Sequence, residues 1–421
     1  MDIKQIIQIE FNRYMKKYKK NLTLPEYKFL RQMVYGILSS QHVHLNKIGS
    51  ILQESITLKK TTERLSRNLN RKDFEKKLLQ AHLKGHHRHL NRIKYIIFDL
   101  SDITKTYAKS MEGLDRVHDG SKGDVGLGYW LSNLIAVSSD AKEVMPLYSE
   151  LYGLKKEEAE SGENKKIIES LDFIKDYIPS ESICVIDRGG DRRVLIQDNL
   201  RKGRYFVIRQ VGKRNLKFKG KSMPLKQISK EIEFTESYKI KKRRKNRQIE
   251  IEYKVGGVSV QFDDFNQQLW LIKAQEEGKG YVWFLSYLPT EDLSEAIHLT
   301  MEGYGNRWKI EEVHRHIKQT YHLEEIELRK YQGLKSFLAV FFIAMGLIYQ
   351  RYSEYLLQLI DQVGIKLTYR NRLSELLGFI YYKISKVISW ILSKTKLRTI
   401  ITYASPPKFS NLQLSLFDEW Y

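Results

Sequence analysis

Cysteine, proline and long apolar runs are all scarce in this sequence. Its 421 residues include one cysteine, Cys184, and 7 prolines. A single cysteine excludes disulfides within the chain and zinc sites built from several thiolates, and it fits a reducing compartment such as the cytoplasm. The longest apolar run covers residues 337–349. It is too short to cross a bilayer, so we predict a buried helix there and no membrane partner.

Acidic residues are outnumbered by basic ones. The chain has 72 Lys+Arg against 50 Asp+Glu, a net charge of +22 and an isoelectric point of about 9.6. This excess favours a polyanionic partner, nucleic acid before a membrane surface. A general lysine bias of the source is the alternative. The length suffices for two or three domains with large cores.

Residues 304–318, YGNRWKIEEVHRHIK, carry an unusual polar pattern. Read as one helix, they place five polar side chains on one stripe, because the steps between them are three or four residues. One carboxylate among cations and a phenol is chemistry that holds a metal ion against phosphates. A solvated salt-bridge face is the alternative. The stripe consists of Tyr304, Arg307, Glu311, Arg315 and Lys318.

Two more carboxylates follow short apolar segments that we predict to be strands. The segment YIIF ends at Asp99, and SICVI ends at Asp187. Asp102 competes with Asp99 and is better explained as a loop cap, and Asp191 is a weaker alternative to Asp187. Two strand-end aspartates and Glu311 provide three hard oxygen ligands, which suit two Mg²⁺ or Mn²⁺ ions.

The spacing Y-x2-R-x3-E-x6-K resembles the YREK signature of DDE transposases from bacterial insertion sequences. Tyr304, Arg307, Glu311 and Lys318 match its four letters, and Arg315 stands where relatives often carry lysine. The texts FDLSDITK and VIDRGGD resemble the first-aspartate and second-aspartate motifs of that family. The resemblance implies that Asp99, Asp187 and Glu311 bind the catalytic metals, and that the other signature residues hold DNA.

The resemblance also implies the reaction and the partners. End cleavage by phosphodiester hydrolysis would be followed by strand transfer, without a nucleotide cofactor. The implied partners are double-stranded DNA at inverted-repeat ends, target DNA and a second protomer in a synaptic complex, in the cytoplasm and associated with the nucleoid. In relatives, tryptophans at the positions of Trp283 and Trp308 handle a base flipped out of a DNA hairpin, because an indole can replace lost stacking. Both could instead be core aromatics.

We therefore predict an α/β fold: an RNase H-like mixed sheet flanked by helices, with an inserted β-subdomain and helical N- and C-terminal regions. The predicted divisions are 1–90, a helical DNA-binding region; 91–211, the first part of the catalytic core; 212–285, the inserted β-subdomain; 286–345, the second part of the core with the Glu311 helix; 346–404, a helical C-terminal region; and 405–421, a flexible tail.

Basic segments outside the signature are further DNA-binding candidates. An arginine-rich helix with Arg64, Arg67 and Arg71 suggests helix-turn-helix character, with a plain helical subdomain as the alternative. The run KIKKRRKNR at 239–247 predicts a loop or strand edge against phosphates, although a nuclear-type address or a free solvated loop has the same composition. The histidine-rich text AHLKGHHRHL predicts a solvated basic turn facing phosphates rather than a metal site.

The C-terminal text QLSLF resembles the pentapeptide that binds the bacterial sliding clamp. Its pocket-filling and register-setting residues would be Gln413, Leu414, Leu416 and Phe417. A tail that packs on its own domain is the alternative. For the whole chain, the alternatives to a transposase are a structure-specific DNA nuclease on the same fold and a catalytically inactive DNA-binding relative.

Overall fold

The computed structural model describes residues 3–352, apart from 106–107, 109, 119–122, 124, 139–142, 154–161, 245–246 and 264, together with 380–395, 397 and 400. These residues form an α/β fold in which a mixed sheet is flanked by helices. The predicted fold class is therefore confirmed, and the architecture is consistent with an RNase H-like fold.

The first four strands of the chain form an antiparallel set. The strands are β1 (Tyr95–Thr104), β2 (Asp115–His118), β3 (Val125–Val137), β4 (Val144–Tyr152), β5 (Ile183–Ile186), β6 (Phe206–Gln210), β7 (Asn215–Phe218), β8 (Lys221–Pro224), β9 (Glu236–Arg244), β10 (Arg247–Val260), β11 (Leu269–Glu276) and β12 (Tyr281–Tyr287).

The helices lie mainly before and after the strands. They are α1 (Ile3–Lys16), α2 (Leu24–Ser40), α3 (Leu45–Leu52), α4 (Leu58–Leu69), α5 (Phe74–Leu90), α6 (Glu163–Ile174), α7 (Arg193–Arg201), α8 (Leu225–Ile228), α9 (Leu293–Asn306), α10 (Trp308–Thr320), α11 (Tyr331–Leu347) and α12 (Ile380–Ser393).

One large sheet has the order β2-β3-β1-β5-β6-β12-β11-β10-β9, with β4 also paired to β3. β3 is antiparallel to both β1 and β4, whereas β5 is parallel to β1 and to β6. Parallel neighbours bring their carboxyl ends to the same edge of a sheet. That edge, at β1, β5 and β6, is where side chains that follow the strands can meet.

Alternate residues of β1 enter two different hydrophobic cores, because strand side chains point to opposite faces. Tyr95 and Ile97 pack in the core that includes α11 and the N-terminal helices. Ile96 and Phe98 pack in a second core with residues of α6 and α7. On the next strand, Cys184 is 4% exposed, and burial raises the pKa of its thiol to about 12.

The N-terminal region is helical, as predicted, but it shares a core with the sheet. α2 begins after Thr23, whose backbone N–H donates to the Glu26 carboxylate at 2.8 Å, and Pro25 lies in its first turn. α2 and α5 pack on α11, and α2 also packs on α12. The helices therefore cover one face of the large sheet.

Helix α11 is mostly apolar, and nearly all of its residues from Leu334 onwards are buried. By length and composition, Tyr331–Gln350 is the one helical stretch among the described residues that could cross a membrane, but 83% of its most apolar window is buried inside the protein. The prediction of a buried helix is thus confirmed. The length argument behind it was wrong, because the helix begins before the apolar run.

Two predicted boundaries were wrong. The first strand does not end at Asp99: β1 continues to Thr104, because residues 99–104 go on pairing with β3. Asp102 is therefore a strand residue and not a loop cap. Residues 304–318 are not one helix either, since α9 ends at Asn306 and α10 begins at Trp308, with Arg307 at the junction.

The segment predicted as an inserted β-subdomain is continuous with the main sheet. Its strand β12 pairs with β6, and β11, β10 and β9 extend the sheet from there. The basic run at 239–247 begins in β9, which is the last strand in the sheet order. The backbone of residues 239–244 thus lies at a sheet edge, as one of the sequence alternatives expected.

Candidate active site

Asp99 and Asp187 are neighbours across parallel strands. Phe98 of β1 pairs with Ile186 of β5, and the next residue on each strand is an aspartate. Adjacent strands are about 4.8 Å apart, so the two carboxylates emerge side by side. Their side chains are 27% and 31% exposed. The sequence predicted a strand end at both positions; β5 ends just before Asp187, whereas Asp99 lies inside β1 at the point where its pairing with β5 stops.

Glu311 reaches the same place from the first turn of α10. Burial raises the pKa of Asp99 to about 6, and the carboxylates of Glu311 and Asp187 act in the same direction. The Arg307 guanidinium and the backbone N–H of Leu100 oppose this rise in pKa. Arg307 contacts both Glu311 and Asp187, and Asp187 lies beside Asp99 across the paired strands, so the structure brings the three predicted acids together.

Arg307 lies between the acids at the junction of α9 and α10. Its guanidinium forms an ion pair with Glu311, and its Nη1 is 3.9 Å from Asp187 Oδ2. Burial alone would lower the pKa of Arg307, but Glu311, Asp187 and Tyr304 raise it overall. In the absence of a metal ion, this arginine supplies the positive charge that three carboxylates require.

Arg209 is a site residue that sequence reasoning missed. It lies on β6, and its Nη1 donates to the Tyr304 hydroxyl at 3.0 Å and is 3.4 Å from Asp187 Oδ1. Arg209 thus connects the second aspartate to the first signature residue. No local pattern marks it, because the contact depends on the alignment of β6 beside β5.

His314, one turn after Glu311, was also missed. Asn133 Nδ2 donates to His314 Nε2 at 2.8 Å, and Asn133 Oδ1 accepts from Ser149 Oγ at 2.8 Å. Burial lowers the pKa of His314 to about 3, with Lys318 acting in the same direction and Asp102 opposing. The neutral ring therefore carries its proton on Nδ1, which lies 3.9 Å from Asp99 Oδ2. Three buried side chains thus align a donor towards Asp99.

The last two residues of the stripe have different surroundings. Lys318 Nζ lies 3.3 Å from Asp102 Oδ1 and 3.0 Å from Glu324 Oε1. Arg315 is exposed, two turns along α10 from Trp308. Lys318 is therefore tied to strand β1, whereas Arg315 presents its charge at the surface.

Trp283 and Trp308 are both half-buried. Trp283 pairs with Gln210 at the end of β6, which places it on the same sheet edge as Asp187, two strands away. Its indole N–H donates to Ser229 Oγ at 2.7 Å. Trp308 begins α10, and Lys309 Nζ lies 4.2 Å from its ring centroid. Trp308 thus lies next to Arg307, whereas Trp283 packs against the second hydrophobic core on the opposite face of the sheet, and a role of either ring in base stacking stays a prediction.

The competing aspartates are engaged elsewhere. Asp191 accepts from the backbone N–H of Val211 at 2.7 Å and forms an ion pair with Arg214. Asp102 accepts from Thr104 Oγ1 at 3.0 Å in addition to its contact with Lys318. Asp191 therefore holds the backbone just after β6, whereas Asp102 is bound to side chains of β1 and α10.

The histidine cluster was assigned wrongly. It forms part of helix α5 and not a turn, and His82 and His86 are buried. The Tyr18 hydroxyl is hydrogen-bonded to His82 Nδ1 at 2.7 Å, and the backbone carbonyl oxygen of Pro146 lies 2.7 Å from His82 Nε2. Burial lowers the pKa of His82 to about 4, so it is neutral in the core. His87 remains exposed at the surface.

Other predicted contacts are not tested by the geometry. α3 and α4 pack together, with Gly49 against Leu58, as a helix-turn-helix unit requires, and Arg67 of α4 is exposed. The helix-turn-helix assignment stays a prediction. The clamp-binding candidates Gln413, Leu414, Leu416 and Phe417 lie outside the described residues.

Residues 150–347 match the family model of the transposase DDE domain. The match supports a DDE transposase. The matched stretch contains Asp187 and Glu311 and starts beyond Asp99. It supports DNA transposition and recombination, with nuclease and transposase chemistry, as the general function. A comparison with curated proteins found no match.

The site fits the divalent metal ion that DDE transposases generally use. Its donor set is three carboxylates, which are ligands for hard cations such as Mg²⁺. Burial is the main cause of the raised pKa of Asp99, and the nearby carboxylates of Glu311 and Asp187 add to it. A bound divalent ion would complete the charge balance between Asp99, Asp187 and Glu311.

The raised pKa of Asp99 predicts a specific dependence of stability on pH. Without metal, the folded protein binds the Asp99 proton more tightly than the unfolded chain, whose ordinary value is 3.8. Proton binding by Asp99 therefore adds most to the free energy of unfolding below pH 4, and this added stability is lost as the pH rises to about 6. The change is on the order of 2–3 kcal/mol at most. We expect Asp99→Asn to stabilise the protein in EDTA at pH 7.5 but not at pH 4.

Thermal melting of both proteins at the two pH values, in EDTA and then in Mg²⁺, checks this. Mg²⁺ should stabilise the wild type more than Asp99→Asn, since the metal competes with the proton for the same carboxylate. An equal difference in melting temperature at both pH values would contradict the assignment of the raised pKa to Asp99.

Proposed function

We propose that this protein is a cut-and-paste DNA transposase of the YREK-signature type, encoded by an insertion sequence. Asp99, Asp187 and Glu311 would hold two Mg²⁺ or Mn²⁺ ions. When bound, these ions activate a water or a 3′-hydroxyl and stabilise the leaving oxygen. The reaction would be hydrolysis at the element's ends followed by strand transfer, with a hairpin as an intermediate.

The observation that carries this proposal is the convergence of the three acids. Asp99 lies within β1 where its pairing with β5 stops, Asp187 directly follows β5, and Glu311 comes from the first turn of α10. Carboxylates concentrated at one point of a protein with a net charge of +22 suit a metal-dependent reaction on a polyanion. The family match covers the last two acids and supports the same chemistry.

The cations around the acids would position the DNA backbone. Arg307, now paired with Glu311, becomes available to a phosphate when a metal ion takes over the carboxylates. Arg209 would keep the Tyr304 hydroxyl oriented towards the DNA. Arg315 and Lys318 would contact phosphates further along α10. None of these contacts involves a base, so they would support DNA binding without specifying a sequence.

Trp283 and Trp308 would stack on a base extruded next to the cleavage site. Both rings are half-buried. Trp308 directly follows Arg307, whereas Trp283 packs against the second hydrophobic core, on the face of the sheet opposite to Arg209 and Tyr304. The hydrogen bond from Trp283 to Ser229 fixes the plane of one ring before DNA arrives. A fixed ring stacks with less loss of conformational entropy than a mobile one.

The proposed partners are the paired inverted-repeat ends, target DNA and a second protomer, within the nucleoid of the cytoplasm. The N-terminal helices, with α4 as the recognition helix, would bind the ends. The C-terminal QLSLF would bind the sliding clamp through Leu416 and Phe417, with Gln413 setting the register.

In vitro excision tests the proposed function. The purified protein is incubated with a plasmid that carries the gene's own flanking DNA, with Mg²⁺ or with EDTA. We expect a linear element to be released in Mg²⁺ only. Cleavage without preference for the paired ends would favour a structure-specific nuclease. Specific end binding without cleavage would favour an inactive relative and would overturn the roles given to the three acids.

A further inference from the structure

Three histidines and a glutamate meet at a seam between the N-terminal helices and the turn after α10. His42 and His44 lie just before α3, and His322 and Glu325 lie at the 3₁₀ turn Leu323–Glu325. The ring centroids of His42 and His44 are 4.3 Å apart, and the rings of His42 and His322 are stacked at 5.3 Å. None of these residues belongs to the candidate active site.

Their donor atoms converge on one point. One ligand atom each from His42, His44 and Glu325 lies within 4.8 Å of the other two. His42 Nε2 is 3.4 Å from Glu325 Oε2. The separation between ligands around a tetrahedral zinc ion is about 3.3 Å, given bonds of about 2.0–2.1 Å. The other carboxylate oxygen, Oε1, is 3.3 Å from His322 Nδ1.

We propose that His42, His44 and Glu325 bind a transition-metal ion of the Zn²⁺ type, with His322 as the fourth ligand. Imidazole nitrogens with one carboxylate select Zn²⁺ and its neighbours over Mg²⁺ and Ca²⁺, which prefer oxygen. The site therefore differs in chemistry from the three carboxylates of the candidate active site. It does not depend on the proposed DNA reaction.

The hydrogen bonds around the two N-terminal histidines leave ligand positions available. His44 Nε2 lies 2.8 Å from the Glu325 carbonyl oxygen. With the proton on Nε2, that nitrogen donates to the carbonyl, and Nδ1 is free to bind a metal. His42 Nδ1 accepts from the backbone N–H of Val43 at 3.1 Å. A metal on Nε2 moves the ring proton to Nδ1, so a small rotation of this ring must release that contact.

The turn that carries Glu325 is held firmly. Lys105 Nζ donates to the backbone carbonyls of Glu324 and Ile326. Lys318 links Glu324 to Asp102 on β1. A metal ion at this seam would fasten the start of α3, in the predicted DNA-binding region, to the strand and helix that carry Asp99 and Glu311. It would thus fix the orientation of one unit relative to the other.

Metal titration of the full-length protein tests this site. The protein is stripped with EDTA, transferred to excess Mg²⁺ so that the carboxylate centre is filled, and titrated with Zn²⁺ and with Co²⁺. We expect one tightly bound ion per chain, the intense visible absorption of four-coordinate Co²⁺, and a higher melting temperature. His44→Asn and Glu325→Gln should weaken binding by at least the roughly 10–100-fold that loss of an outer-shell partner costs.

Three further variants make the result decisive. His118→Asn changes an exposed histidine on β2 and should leave Zn²⁺ affinity unchanged. Glu311→Gln should also leave it unchanged, which separates this site from the active site. His322→Asn replaces a side chain that is 48% exposed, so it should fold even where a change at buried His42 does not. Zn²⁺ affinity that is unaffected by both Glu325→Gln and His322→Asn, or a weak six-coordinate Co²⁺ spectrum, would overturn the proposal.

Discussion

Replacing Glu311 with glutamine is expected to reduce strand cleavage by about 10³-fold or more while DNA-end binding persists. The glutamine keeps the size of the side chain but removes the charge that binds a metal ion. A bound divalent ion stabilises transition-state charge by several kcal/mol, and about 4 kcal/mol corresponds to 10³ in rate. The loss of Glu311 also leaves Arg307 without its closest carboxylate. End binding should therefore be unchanged or slightly tighter.

The matched control is Glu312→Gln, the same chemical change one residue later. Glu312 points away from the acids, and its carboxylate lies 3.8 Å from Lys309 on the same helix. Cleavage of a labelled end substrate in Mg²⁺ should be near the wild-type rate for this variant. The assignment of Glu311 fails if both variants cleave at similar rates, or if both lose end binding together.

Phe341→Ala should lower the free energy of unfolding by about 3–5 kcal/mol, the usual cost of deleting a buried phenylalanine. Phe341 is fully buried in α11, where its ring packs against Phe337 and, edge-on, against Tyr321. Helix α11 contacts β4, α2 and α5, so the cavity would lie where three parts of the chain meet. Since most proteins are stable by only about 5–15 kcal/mol, this single change should be severe.

The urea denaturation midpoint of each protein measures this effect, and Leu24→Ala serves as its control. Leu24 is 59% exposed at the start of α2, so its truncation should change stability by no more than about 0.5 kcal/mol. A small effect of Phe341→Ala would mean that α11 is not the central core helix. It would also mean that much of the apolar surface of α11 is not packed against the rest of the protein.

The three acids were predictable because each stands in a local pattern. An apolar segment that ends in aspartate marks a strand that delivers a carboxylate to a sheet edge, and Glu311 lies at fixed steps from Tyr304 and Arg307. Arg209 and His314 carry no such mark. Their contacts arise from the register of β6 beside β5 and from the position of Asn133 on β3, which are long-range features of the fold.

The errors have similar physical causes. β1 continues past Asp99 because β3 offers pairing partners as far as Gly128, and one strand's sequence does not reveal the length of its neighbour. α9 ends just before Arg307 and α10 begins just after it, and the guanidinium of Arg307 points into the site, where it contacts Asp187 and Glu311. The histidines of α5 were predicted to be solvated because their text is polar, but the structure provides Tyr18 and the Pro146 carbonyl as internal partners.

The single cysteine of this chain has a practical consequence. Cys184 lies buried in the middle of β5, and burial raises the pKa of its thiol to about 12, so almost none of it is thiolate at neutral pH. Because the thiolate is the reactive form, maleimides should leave this residue alone while the protein is folded. New cysteines can therefore be introduced on the wild-type background, for instance one on α4 and one on β9. Fluorescent dyes at such positions would report how far apart these two parts of the chain are before and after DNA binds.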